Sequence, residues 1–214
     1  MKLHIASLTL LCLLTLAVVP AIAQQDLYDN GPVNGQVDGW IINFGYAVSE
    51  TFHLASNSTV GAISFWAWLE PEDTASTVEI QLGSTGYFSN NLLDQTILLT
   101  QSNCFTNNLG FEVCQESGNF LGPALSAGNY YLTLTNATTV NDGPVFWDEN
   151  SGVGCQSPGC PSSAQEVAFG TIPSEAFTLS GQGSTTGSTP EPTSIWLFGA
   201  GALTVVGGLR RKFF

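Results

Sequence analysis

Between Gln24 and Ser180 the apolar residues keep a period of two, and a chain with that pattern must bury one face of each extended segment against another sheet. Trp40, Ile42, Phe44, Tyr46 and Val48 alternate with Ile41, Asn43, Gly45 and Ala47. The same spacing returns at Val78-Ile80-Leu82, Tyr130-Leu132-Leu134 and Phe177-Leu179, with Gly, Asn and Pro clustered between the runs. No window carries a helical stripe, and 23 Gly with abundant Ser and Thr work against one. The expectation is an all-β domain of eight or more short antiparallel strands in a jelly-roll-like β-sandwich. Strand order is not legible from the pattern.

The segment Thr59 to Leu69 is the most informative strand. Ile63, Phe65, Ala67 and Leu69 share one face, and Ala62, Ser64, Trp66 and Trp68 share the other. If the first set faces the core, Trp66 and Trp68 lie side by side as a platform on which sugar rings stack. The plainer reading is a central strand covered on both faces, with both indoles packed beneath a loop.

Charge narrows the possible partners. The chain has 4 Lys and Arg, namely Lys2, Arg210, Arg211 and Lys212, and all but Glu191 of its 17 Asp and Glu lie between Asp26 and Glu175. The body is therefore a polyanion with no internal ion pair to Lys or Arg. Nucleic acid is excluded as a partner, because Lys and Arg supply phosphate affinity. Anionic polysaccharide is disfavoured unless divalent cations bridge the two surfaces.

The chain ends read as addresses. Lys2 and His4, the apolar run Ile5 to Val19 and the small residues Ala21-Ile22-Ala23 fit a cleavable signal peptide over residues 1–23. The body spans 24–180, and residues 181–189 form a Gly, Ser, Thr and Gln spacer. Residues 190–214 follow as Pro190-Glu191-Pro192, an uncharged run from Thr193 to Leu209, and Arg210-Arg211-Lys212. As a helix, the run at 193–209 is about 26 Å long, enough for a slightly thin bilayer. The basic tip sets the topology, with the body outside the cytoplasm.

This tripartite end resembles the PEP-CTERM sorting signal of Gram-negative envelope and exopolysaccharide-associated proteins. The resemblance covers about 26 residues and implies a temporary membrane anchor that an integral membrane enzyme, the exosortase, recognises at Pro190-Glu191-Pro192 and removes. A permanent single-pass anchor behind a Pro-stiffened linker is the alternative. The stretch from Gly128 to Ala137, running into Asn141-Asp142-Gly143-Pro144-Val145-Phe146-Trp147-Asp148-Glu149-Asn150, resembles a strand, loop and Trp-Asp-Glu stretch found in the extracellular β-sandwiches of many such proteins.

Export fits the cysteines. Cys12 falls in the signal segment, leaving Cys104, Cys114, Cys155 and Cys160, and proximity favours 104 with 114 and 155 with 160. A zinc site is the competing reading, with suitable spacing only at 155/160 and no His nearby. Asp142, Asp148, Glu149 and Asn150 could crowd enough oxygen to hold calcium at one edge of the sandwich, although their spacing is not that of an EF-hand loop. No other cofactor is expected.

Catalysis finds little support. His53 is the one histidine outside the signal segment, it shares the polar side of a strand with Ser49 and Thr51, and no Gly-x-Ser-x-Gly elbow occurs. Glu70, Glu72 and Asp73, or Asp148 and Glu149, could supply glycosidase carboxylates, but Glu70-Pro71-Glu72-Asp73 sits where a turn is expected. The sequons at Asn57 and Asn136 decide nothing alone. The combined expectation is an exported, non-enzymatic surface or exopolysaccharide-matrix protein. A carbohydrate-binding module using Trp66 and Trp68 is the first alternative, and a secreted polysaccharide hydrolase or lyase the second.

Overall fold

β4 (Ser58–Leu69) organises the molecule. In the computed structural model, which describes residues 24–150 and 164–183, this strand has neighbours along both edges. One edge pairs with β14 (Phe177–Gly183) and then β11 (Phe146–Asp148); the other pairs with β8 (Glu112–Asn119) and β9 (Ala124–Leu125). β1 (Gln25–Asp29) lies outside β14, β2 (Gly39–Ile41) outside β11 and β7 (Thr100–Thr106) outside β8, completing an eight-stranded sheet.

The second sheet has six strands in the order β13 (Gly170–Ile172), β12 (Ala164–Glu166), β3 (Ala47–Leu54), β10 (Gly128–Thr139), β5 (Ala75–Gly83) and β6 (Leu93–Leu98). All registered pairs in both sheets are antiparallel. Among the described residues there is no helix, and so none long and apolar enough to cross a membrane. The expected signal peptide, the helix at 193–209 and the basic tip lie outside the described residues.

The two sheets share one core. Ile63, Phe65, Ala67 and Leu69 of β4, with Phe177 and Leu179 of β14, are buried together with Val48, Phe52 and Leu54 of β3, Val78, Ile80 and Leu82 of β5, and Leu132 and Leu134 of β10. Each large side chain removed from water is worth about 1.5–3 kcal/mol, which is what the period of two secures. Trp147 joins them, edge-on to Phe65 and Phe177 with ring centroids 6.1 and 5.5 Å apart. Its indole N–H donates to the Ala176 carbonyl at 3.0 Å, so the ring's one polar atom is satisfied.

One expected strand is broken. The alternation from Trp40 to Val48 reads as continuous, yet β2 ends at Ile41 and β3 starts at Ala47. Asn43 causes the break: its side chain donates to the Gly143 carbonyl at 2.9 Å and accepts from Val145 N–H, while its carbonyl accepts from Tyr46 N–H at 3.0 Å. The turn places Phe44 and Gly45 at φ 56° and 89° and leaves Phe44 64% exposed. At the far end β14 continues through Gly183, three residues into the expected spacer.

The loop between β5 and β6 folds back over the outer face of the second sheet. Phe88 N–H donates to Ser49 Oγ at 3.1 Å, and Tyr87 packs edge-on to Tyr131 at 5.0 Å. Ser49, expected on a solvated face, is therefore buried. A Cβ on Gly83 would overlap Ser89, so the loop's close approach depends on that glycine.

Candidate functional site

On the outer face of the first sheet the two indoles part company. Trp68 is 4% exposed: its ring lies 5.9 Å from that of Phe111, and its N–H donates to Asp148 Oδ1. Phe146 packs edge-on against the same Phe111 at 5.7 Å, closing the cover. Trp66 is half-buried, with Phe105 6.1 Å away at 53°. The open two-indole platform is therefore replaced by one accessible indole beside a covered aromatic cluster.

The residues expected to gather around calcium separate into two places. Asp142 is exposed in the turn after β10, at φ 58°, whereas Asp148, Glu149 and Asn150 are buried at the end of β11. Asp148 is already engaged: Oδ1 accepts from Gly35 N–H at 2.8 Å as well as from Trp68, and Oδ2 accepts from Asn34 N–H at 2.8 Å. Its carboxylate thus pins the loop before β2 onto the covered aromatic cluster. Burial pushes its pKa up to about 6, with those three hydrogen bonds pulling the other way. Asn150 is likewise structural, donating through Nδ2 to the Asn30 carbonyl at 2.6 Å. Among the described residues no three His, Cys, Asp or Glu side chains stand close enough to hold a metal ion.

Two carboxylates that the alternation could not single out lie beside these groups and in the core. Glu175 is fully buried, and neither of its carboxylate oxygens has a hydrogen-bond partner. Its backbone faces Glu149 across an isolated antiparallel bridge, and its N–H donates to Glu50 Oε2 at 3.0 Å. Burial first, then the charges of Glu50, Asp148, Glu149 and Asp38, raise its pKa well above the usual carboxylate range. Glu149 is raised by burial and by Asp38 and Asp148.

Glu116 of β8 sits opposite Phe65, on the inward face. Both its oxygens are buried without partners, and burial pushes its pKa to about 7. Gln101 faces it across the β7–β8 ladder with Oε1 equally unpartnered. The local sequence of β8 carries no apolar alternation that marks Glu116 as inward; only its pairing opposite Phe65 does.

Cys104 and Cys114 form a disulfide that ties a bulge in β7 to β8. Cys155 and Cys160 lie outside the described residues, as does the motif Pro190-Glu191-Pro192 with Arg210, Arg211 and Lys212. His53 Nδ1 lies 2.8 Å from Asn129 Oδ1, an amide oxygen on the neighbouring strand. Glu70 to Asp73 do form a turn, in which Asp73 is buried and accepts from Thr74 and Asn141 N–H at 2.8 and 3.0 Å.

Compared with known families, residues 188–212 match the PEP-CTERM protein-sorting motif, so the chain carries that sorting signal behind the β-domain. No curated protein and no solved structure matches the chain.

Proposed function

We propose that this bearer of a PEP-CTERM protein-sorting motif is exported across the inner membrane, held there by the segment at 193–209, processed by an exosortase at Pro190-Glu191-Pro192, and delivered to the cell surface or exopolysaccharide matrix. The motif match at 188–212 carries the reading. The charge distribution supports it, since the positively charged residues that fix membrane orientation are confined to the two ends. A disulfide between Cys104 and Cys114 suits an oxidising compartment.

Within that role we take the body to be a non-enzymatic structural or binding β-sandwich that needs no cofactor. Among the described strands the chain passes between the sheets eight times, at β2–β3, β3–β4, β4–β5, β6–β7, β9–β10, β10–β11, β11–β12 and β13–β14, which we read as a jelly-roll-like arrangement. Intact mass of the protein recovered from cells tests processing: a C-terminus near Pro192 is expected, and one at Phe214 overturns it in favour of a permanent anchor. Reporter fusions placing the body in the cytosol overturn export. Turnover of a polysaccharide abolished by a single Glu or Asp substitution would overturn the non-enzymatic reading. Carbohydrate binding is the second reading, favoured by the accessible indole of Trp66.

A further inference from the structure

A groove of about 390 Å³ runs over the outer face of the first sheet, lined by Ala62, Ser64, Thr100, Ser117, Asn119 and Ser180 among others. We propose that this groove, with Trp66 at one end, binds an uncharged polysaccharide chain. The inference deepens the carbohydrate reading and rests on it.

The registers place these side chains in rows across four strands. Ser180, Ala62 and Asn119 form one row. Thr178, Ser64, Ser117 and Thr100 form the next, and Trp66, Gln115 and Ser102 the third. From Ala62 to Trp66 the face extends about 13 Å along β4. Every position in the three rows is a hydroxyl, an amide, an alanine or the indole, in a body that carries all but one of the chain's 17 acidic residues. At the edge strand β1 two of these rows end in carboxylates: Asp26 is in register with Ser180, whose Oγ donates to it at 2.8 Å, and Asp29 is in register with Thr178.

This lining fits an uncharged polyol. Hydroxyls and amides both donate and accept, as sugar hydroxyls do, and the groove offers no positive charge to an anionic ligand. The polar groups are held in place by one another. Gln115 Nε2 donates to Ser64 Oγ at 2.9 Å, Ser117 Oγ to the same oxygen at 3.3 Å, and Asn103 Nδ2 to Gln115 Oε1 at 2.7 Å. Phe105 braces Trp66 at 53°. The small Ala62 keeps the groove open at the end away from Trp66. Anionic chains meet repulsion from the surrounding body.

Affinity electrophoresis of the full-length protein tests the proposal, through gels containing hydroxyethylcellulose, dextran or galactomannan, with alginate as the anionic comparison. At least one neutral polymer should retard the protein and alginate should not. Trp66→Ala and Ala62→Arg, the second filling the groove without removing a contact, should each weaken retardation by about tenfold or more while the melting temperature stays near wild type. Should Trp66→Ala fail to fold, Ala62→Arg decides alone. No retardation by any neutral polymer overturns both the groove and the carbohydrate reading, leaving export to be judged by the C-terminal mass. Retardation undiminished in Ala62→Arg overturns the groove but keeps carbohydrate binding, at another place.

Discussion

Among single residues, Glu116 and Asp148 show how differently a buried carboxylate can stand. Asp148 has three donors, from Trp68, Gly35 and Asn34. An Asn in its place offers one carbonyl oxygen and turns an NH₂ toward a donor, so Asp148→Asn should cost about 1–3 kcal/mol in urea denaturation. Glu116 has no donor at all. Its folded pKa, about 7, lies above the ordinary glutamate value of 4.5, so the fold holds the proton more tightly than the open chain does. The stability it contributes is full below pH 4.5 and is lost as pH rises through 7. Glu116→Gln should therefore stabilise the protein at pH 8 by an amount on the order of 3 kcal/mol and change little at pH 4.5, as read from urea midpoints at the two values. The sequence allowed Trp68 to be either platform or packed residue; only the position of Phe111, distant in the chain, decides. Asp142 looked like a neighbour of Asp148 because they stand only six positions apart. Pro144 and Val145 lead from the exposed turn into the sheet, and the two carboxylates end on different sides of that passage.

At the level of strands and links, alternation was a sound guide wherever a strand has one face in the core. β5, β10 and β14 fall on the expected runs, and the inward set of β4 is the expected one. It failed at Asn43, where side-chain hydrogen bonds to a segment a hundred residues away override a local pattern that reads as extended. Strand order was hidden because pairing depends on contacts between distant parts of the chain. The disulfide was legible from proximity, and its energetic role is a property of the β7–β8 hairpin. Closing a loop of sequence separation 10 is worth about 2.5 kcal/mol on the chain-entropy model. Reduction, or joint replacement of Cys104 and Cys114 by Ser, should lower stability by that amount, measured as the shift in urea midpoint with and without reductant.

For the molecule as a whole, the absence of Lys and Arg from the body means that buried acids have no such side chain to neutralise them. Glu116, Asp148, Glu149 and Glu175 all have raised folded pKa values, so the fold takes up protons relative to the unfolded chain. Stability should fall as pH rises from about 5 to 8, the opposite of ordinary acid denaturation, and melting temperatures across that range will show it. Trypsin should leave residues 3–210 intact even in urea, because no Lys or Arg lies between Lys2 and Arg210; the mass of the digest checks this. A mechanical consequence follows from the place of β14, the strand from which the tail departs at Gly183. It is hydrogen-bonded on both sides, to β1 and β4. Tension arriving through the tail along that strand therefore loads two ladders in shear at once instead of unzipping a free border.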